Sequence, residues 1–475
     1  MHDWFVANWV TLLALSELLV ALGASGHAIV HKRDPRAAVL WVGLIWLAPF
    51  AGAALYFLLG INRIRRRAAL LMRDKKSRVD RPEPPSELRR PPVDERPELS
   101  RAIDRVVRRE LVAGNHIDPL ENGDVAYPAM LAAGERRALR RARDVHLRRR
   151  RDGGRDSPRP SPAPMRVECG AGLGRCGWRA LFVPEHRASP ASRRTRGRDV
   201  PPSWSPLGAG VANLRNHRKI LIADGRVAFT GGMNIRDGHV LARAPKHPVR
   251  DLHFRLHGPI VGELMECFVE DWTFSSGEVL TGDQYFPALD PQGPSLARAI
   301  SDGPDEDFEV LRQVILVALS SARRRVRIVT PYFVPDASIL DALVTASLRG
   351  VEVELVIPER SNIPLADWAC TALLWQLLER GVKVHRSPSP FDHTKLFLVD
   401  DAWALVGSAN WDARSFRLNF ELSVEVHDRA LCGSLHALVD ARVRPARELS
   451  LAEVDGRSLP VRLRDGVAKL FAPFL

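Results

Sequence analysis

One pattern of eight residues occurs twice in this chain, and it constrains the fold more than any other feature. His217-Arg218-Lys219-Ile220-Leu221-Ile222-Ala223-Asp224 has the form HxKxxxxD, and His393-Thr394-Lys395-Leu396-Phe397-Leu398-Val399-Asp400 has it again. Each copy leads into a step of small residues ending in asparagine, Gly231-Gly232-Met233-Asn234 and Gly407-Ser408-Ala409-Asn410, so Asn follows His by 17 positions both times. Lysine is scarce, 8 against 61 arginines, so two copies with matched spacing are no coincidence. The chain therefore reads as two copies of one unit, facing each other across a pseudo-two-fold axis.

The spacing sorts the residues by role. His and Lys at i and i+2, leading an apolar, β-branched run, fall on one face of a strand and converge on one ligand. Asp224 and Asp400 have the opposite parity and fall at a turn, which predicts that they tie the hairpin together. The Gly-Gly and Gly-Ser steps leave room for backbone to approach a phosphate, and Asn234 and Asn410 add neutral donors. Two such sets make a phosphate site with a histidine on each side. A neutral imidazole attacks phosphorus as a nucleophile, and the opposite one serves as general acid and base.

Two apolar runs open the chain, Trp4 to Ala28 and Ala37 to Leu59. Each exceeds the ~20 residues that span a bilayer, and the turn-forming His31 to Arg36 between them predicts a helical hairpin. The lack of a basic stretch before the first run argues against a cleaved signal peptide. Basic residues cluster after the second run, from Arg63 to Arg78, which places the rest of the chain on the cytoplasmic side. There each cation adds on the order of 1 kcal/mol of attraction to an anionic leaflet.

The net charge of +13 suggests a nucleic-acid partner, and the distribution excludes it. Residues 134–210 hold 19 Arg, no Lys, 7 acidic residues and nine prolines, and the rest of the chain is about neutral. Arg148 to Arg151 and Ser157-Pro158-Arg159-Pro160-Ser161-Pro162 show no apolar period of either kind. Two readings fit: a basic insertion that binds anionic lipid, or, preferred here, a stretch translated out of frame from GC-rich codons. Five cysteines (Cys169, Cys176, Cys267, Cys370, Cys432) without a CxxC pair point to a reduced compartment.

With these motifs in place, the chain resembles the bacterial cardiolipin synthases of the phospholipase D superfamily. The resemblance rests on the paired motifs, the N-terminal hairpin, Asn213 to Asn216, Arg250-Asp251-Leu252-His253, Thr330 to Pro335 and the terminus Leu470 to Leu475. It covers about residues 1–133 and 211–475. It implies transfer of a phosphatidyl group between two phosphatidylglycerols with release of glycerol, no metal or other cofactor, and a multi-pass protein of the bacterial inner membrane. Phosphatidylglycerol and an anionic membrane are the implied partners, nucleic acid is not, and the oligomeric state stays open. His217 is implied as nucleophile and His393 as acid, with Lys219, Lys395, Asn234 and Asn410 on the phosphate oxygens. Each histidine needs a carboxylate behind it. Glu421, 28 residues after His393, stands where the resemblance places this orienter, and the first half offers Asp251.

The expected fold is α/β, two phospholipase D-type mixed-sheet halves behind a transmembrane hairpin, with the first half incomplete. The hairpin covers 1–62, a basic, Pro-rich linker with a short helix from Glu98 to Val112 covers 63–122, and there follow the first half 123–290, the second half 300–445, and a tail 446–475. In the second half, strands at 325–333, 351–357, 382–385 and 422–427 alternate with helices at 339–348, 365–380 and 430–443 around the motif hairpin. Competing readings keep the fold and change the acceptor, to a phospholipase or a nuclease, or leave an inactive membrane protein.

Overall fold

The computed structural model describes residues 2–32, 35–60, 98–107, 109–134, 215–276, 279–303 and 309–472. They belong to two units, Met1–Arg67 and Ala68–Leu475. The expectation for the Arg/Pro-rich stretch 134–210 lies outside the described residues, except that Gly134 is the last described residue of a helix that starts at 122.

In the first unit His2–His31 is one unbroken helix, and its stretch Asn8–His31 is long and apolar enough to cross a membrane. The second apolar run is not a single helix. Pro35–Leu47 stops, Pro49–Leu55 begins, and Tyr56–Gly60 widens into a π turn. Pro49 is the cause: proline disfavours helical backbone in the residue before it, and Ala48 sits at φ −148°, ψ 84°. Ala21, Ala24 and Ala28 pack against Ile45, Ala53 and Tyr56. Small residues let helix backbones approach closely in lipid, while Leu19, Val30 and Leu40 stay exposed.

The second unit is a mixed α/β structure on a 13-stranded sheet. Its first-half strands are β1 (Val112–Glu121), β2 (Arg215–Asn216), β3 (Ile220–Ala223), β4 (Val227–Gly231), β5 (Val249–Arg250) and β6 (Leu252–His257). There follow β7 (Ser295–Asp302), β8 (Arg325–Val329), β9 (Phe333–Val334), β10 (Glu352–Pro358), β11 (Lys383–Ser387) and β12 (Phe391–Asp392). The chain closes with β13 (Leu396–Val399), β14 (Trp403–Gly407), β15 (Trp411–Asp412), β16 (Asn419–His427) and β17 (Arg447–Glu448). The sheet runs β17-β11-β10-β8-β13-β14-β16-β7-β1-β6-β4-β3, with β2 joined to β16. Outward from the β7–β1 seam come β16, β14 and β13 on one side, and β6, β4 and β3 on the other. Beyond β13 lie β8, β10 and β11; among the described residues nothing lies beyond β3.

Central strands here are covered on both faces, which is why they read as continuous apolar runs. Phe397 and Val399 join one core with the helices Val310–Ser321 and Ala337–Leu348. Their neighbours Leu396 and Leu398 join the other, with Ile260–Ser276 and Arg429–Val443. Period-two alternation thus divides one strand between two cores.

Three expectations need correction. The helix expected from Glu98 to Val112 is short, Glu98–Ile103, and the linker reading up to residue 122 hides β1, a central strand. Gly114, Asn115, Asp118 and Pro119 disguise it, because such residues are depleted in strands. They are tolerated for local reasons. β1 pairs with β7 only through Val112 and Asn115, and with β6 from His116 to Glu121. Pro119 thus lies where β7 no longer needs its missing N–H. Asn115 donates to Val112 O and Ser295 O at 2.8 and 3.2 Å and accepts from Ile260 N at 2.8 Å, binding strand to helix. In the second half, the helix expected over 365–380 divides into Pro364–Thr371 and Leu374–Leu378.

Candidate active site

The motif histidines and lysines do not lie on the strand ladder. They occupy three-residue links, 217–219 and 393–395, between a two-residue strand and the motif strand. The links exist because the chain changes partners there. β2 runs parallel to β16, with Arg215 opposite Asn419 and Asn216 opposite Phe420, before β3 turns to pair with β4. Likewise β12 runs parallel to β5, Phe391 opposite Val249 and Asp392 opposite Arg250, before β13 pairs with β14. The residue ahead of each histidine makes the bend. Asn216 Oδ1 accepts from Arg218 N at 2.9 Å and Asp392 Oδ1 from Thr394 N at 3.0 Å, an Asx turn in both halves. His217 N then donates to Phe420 O at 2.9 Å, and His393 N to Arg250 O at 2.7 Å.

Each histidine is thereby stitched into the other half, level with that half's carboxylate. His217 Nδ1 is 3.0 Å from both Glu421 oxygens, and His393 Nδ1 is 2.9 Å from Asp251 Oδ2. Sequence places each carboxylate beside the histidine of its own half; the structure hands it across. Both carboxylates are wholly buried and further bonded. Glu421 accepts from Ser408 Oγ at 2.5 Å and Asn419 Nδ2 at 3.1 Å, and Asp251 Oδ1 from Leu252 N at 2.8 Å. An ionised carboxylate only accepts, so Nδ1 of each ring carries the proton and Nε2 is left for chemistry.

The lysines stand beside their histidines. Lys219 Nζ donates to His217 O at 2.7 Å and Lys395 Nζ to His393 O at 2.6 Å; Lys395 Nζ is also 3.2 Å from His393 Nε2. Burial pulls Lys219 down to about 8 and Lys395 to about 7, against the pull of Glu421 and Asp251. Burial also lowers His217, with Glu421 opposing. His393 falls well below its ordinary value, through burial and then the charges of Lys395, Lys219 and His217. Burial lifts Asp251 to about 6. Burial would raise Glu421 too, but His217, Lys219 and Ser408 hold it below the usual carboxylate range. Both rings are therefore held toward the neutral form near pH 7.

The remaining predicted residues sort by position. Asp400, left-handed at φ 52°, accepts from the backbone N of Arg324 and Arg325 at 2.7 and 3.0 Å, fastening the hairpin turn to the start of β8. Asp224 has the same backbone at the β3–β4 turn, φ 54°. Asn410 is buried, and its Oδ1 has no hydrogen-bond partner among the described residues. The Asn234 segment is held by Tyr127, whose hydroxyl donates to Asn234 O at 2.8 Å and accepts from Arg236 N at 3.0 Å. The glycine steps serve neighbouring protein groups: a Cβ on Gly407 would meet Leu422 O at 2.4 Å, and one on Gly232 would meet Asp251 Oδ1 at 2.4 Å.

Several contributors carried no signal of their own. Arg218, between His and Lys, turns inward to Asp271 Oδ1 at 2.9 Å and Ser301 Oγ at 2.5 Å. Tyr332 and Phe391 flank His393, with ring centroids 6.3 and 6.1 Å away. Tyr332 sits in the Thr330–Pro335 stretch that carried the family resemblance; Phe391 is marked only by preceding the motif.

Comparison with known proteins agrees with this geometry. A family described as "Cardiolipin synthase, PLD-like domain" matches residues 315–442, and "Phospholipase D-nuclease N-terminal" matches 19–60. Cardiolipin synthase 2 of Staphylococcus epidermidis is 36% identical over 276 residues, 58% of this chain and 57% of that protein. The chain is thus matched over little more than half the length of that relative. A cardiolipin synthase of Staphylococcus aureus is 35% identical over 58% of this chain and 56% of its own. The cardiolipin synthase of Geobacillus kaustophilus is 28% identical over 98% of this chain and 93% of its own length. Two motif links, two buried carboxylates and these relatives agree: the chain is similar to cardiolipin synthases, and its residues 315–442 match their phospholipase D-like domain.

Proposed function

We propose that this protein is a cardiolipin synthase, moving a phosphatidyl group from one phosphatidylglycerol to the free hydroxyl of another. The observation that carries the reading is the pair of crossed His–carboxylate contacts, each leaving one Nε2 for chemistry. His217 Nε2 attacks phosphorus, an N–P bond forms, and the P–O bond to the departing glycerol breaks. That oxygen takes its proton from the His393 imidazolium, which forms once the anionic phosphate is bound. The acceptor hydroxyl then gives its proton to His393 Nε2, its oxygen attacks phosphorus, and the N–P bond to His217 breaks. Lys219, Lys395, Asn234 and Asn410 hold the non-bridging oxygens as charge builds.

His217 takes the nucleophile's role because it is the more open ring, 27% exposed against 12% for His393, and its carboxylate stays ionised. The matched links and the strand order about the β7–β1 seam support a pseudo-two-fold relation between the halves. The N-terminal helices serve as a two-span hairpin, with the catalytic unit in the bacterial cytoplasm at the inner membrane. The first half starts earlier than residue 123, taking in β1.

The test is to incubate the purified protein with labelled phosphatidylglycerol. Cardiolipin and glycerol should form in equal amounts, His217→Ala and His393→Ala should each abolish both, and a labelled phosphohistidine should be trapped only where His217 is present. Normal turnover in either variant, or phosphatidic acid as the sole product, would defeat the reading.

A further inference from the structure

The last helix, Leu459–Leu470, has no part in the site. Pro460 in its first turn starts it, and its inner side is firmly held. Ala468 and Asp465 are buried; Arg464 lies over the Trp368 ring, 4.5 Å from its centroid, and pairs with Asp465 at 2.7 Å. Arg457 pairs with the same carboxylate.

Its outer side is apolar. Leu459, Leu463, Val467 and Leu470 are 67, 61, 55 and 75% exposed, and Phe471 follows at 50%. Scattered exposed leucines are ordinary, but at 3.6 residues per turn these five fall on one arc of roughly 120°. Arg462 and Lys469 stand roughly 60–80° past the Leu459 edge of that arc, while Arg464, past the other edge, is the cation held over Trp368 and on Asp465. The one acidic residue of the helix, Asp465, is buried and paired, so every exposed charge on this helix is positive.

An apolar arc flanked by the long cations Arg462 and Lys469 matches a lipid interface: the arc enters the acyl boundary while the cation stems reach back to phosphates. We infer that the Leu459–Leu470 helix lies in the headgroup layer of an anionic bilayer, arc inward, as a membrane contact additional to the N-terminal helices. This does not rest on the phosphatidyl-transfer reading, and its test reads lipid contact rather than turnover.

The full chain is reconstituted in phosphatidylcholine vesicles containing phosphatidylglycerol, with an environment-sensitive fluorescent amino acid at Leu463 or Val467, or at the exposed Asp341 as control. Lipids brominated on the acyl chain should quench the Leu463 and Val467 probes several-fold more than the Asp341 probe. Arg462→Glu with Lys469→Glu should remove most of that difference, as should omitting phosphatidylglycerol. Quenching equal to that at Asp341 would overturn the inference. So would a blue-shifted Leu463 probe untouched by brominated lipid, since the arc would then be covered by a second copy or another protein.

Discussion

His217 is bonded through Nδ1 to Glu421, a residue 204 positions away, at 3.0 Å to each carboxylate oxygen. The bond fixes tautomer and ring plane together, and the short β2–β16 pairing fixes its register. Glu421→Gln should lower kcat by about 10²–10⁴-fold, the range of a lost general acid–base or orienting group, with KM little changed. Steady-state kinetics on phosphatidylglycerol vesicles measures both; a fall confined to KM would contradict an orienting role.

The crossed pairing separates the two carboxylates chemically. A donor bearing p-nitrophenol needs no general acid, so Asp251→Asn should form the phosphohistidine from it at nearly the normal rate. Glu421→Gln should remain slow with the same donor. The burst rate of nitrophenolate release reads the first step directly. Equal impairment of both variants would mean that the two histidines do not divide their labour.

The lysines set a pH limit. Each is charged below its pKa, so the cationic pair weakens as pH rises through about 7 for Lys395 and about 8 for Lys219. His217, lowered by burial, is already neutral there. The kcat/KM profile should therefore fall on its basic side from near neutrality. Lys395→Arg should move that fall upward, because a guanidinium keeps its charge. A basic limb in the same place would assign it to another group.

Gly232→Ala is a small change at a tight place. Its Cβ would come 2.4 Å from Asp251 Oδ1 and 3.0 Å from His393 O. The carboxylate must shift, and His393 with it. Activity should drop by about 10²-fold or more, as misplacement of a catalytic group does, while the thermal midpoint changes little. A fully active variant would show that the Asp251–His393 contact is dispensable.

Arg298 offers a stability test away from the chemistry. It is wholly buried, donating to Glu425 at 2.7 Å and to Asp104 at 2.6 Å. Arg298→Met should cost about 3–5 kcal/mol, because it leaves a buried carboxylate without its cation. Glu425 is held down at about 2, the bonds of His427 and Arg298 outweighing burial. Its contribution is present above the ordinary carboxyl range and is lost as pH falls toward about 2. The gap between the two proteins should therefore narrow in acid, and chemical unfolding at two pH values checks this.

Much of this was legible in the residues. The β13–β14 hairpin, β8, β10 and β16 announce themselves as apolar runs between turn residues, because strands covered on both faces have to be apolar. The residues proposed for the site stand out in the sequence because the motif occurs twice. β1 was not, since its place is held by Asn115, a buried polar residue that hydropathy counts against a strand. The interruption at Ala48 follows from Pro49, a local rule that length alone overrides on paper. The crossing of Glu421 and Asp251 left no trace in spacing. It depends on two-residue strands paired parallel across the chain, and such pairs have no period to detect.

Those strands also bear on what a single half can be. Cut between β6 and β7, the first piece would keep His217 but lose Glu421, and the second would keep His393 but lose Asp251. Neither fragment would hold a working imidazole, however well it folded. Two dead chains, one lacking Glu421 and the other Asp251, would restore each other only by exchanging halves. A chain of half this size would have to act as a pair, each copy lending its carboxylate to the other. Holding both pieces in one polypeptide makes the site independent of concentration.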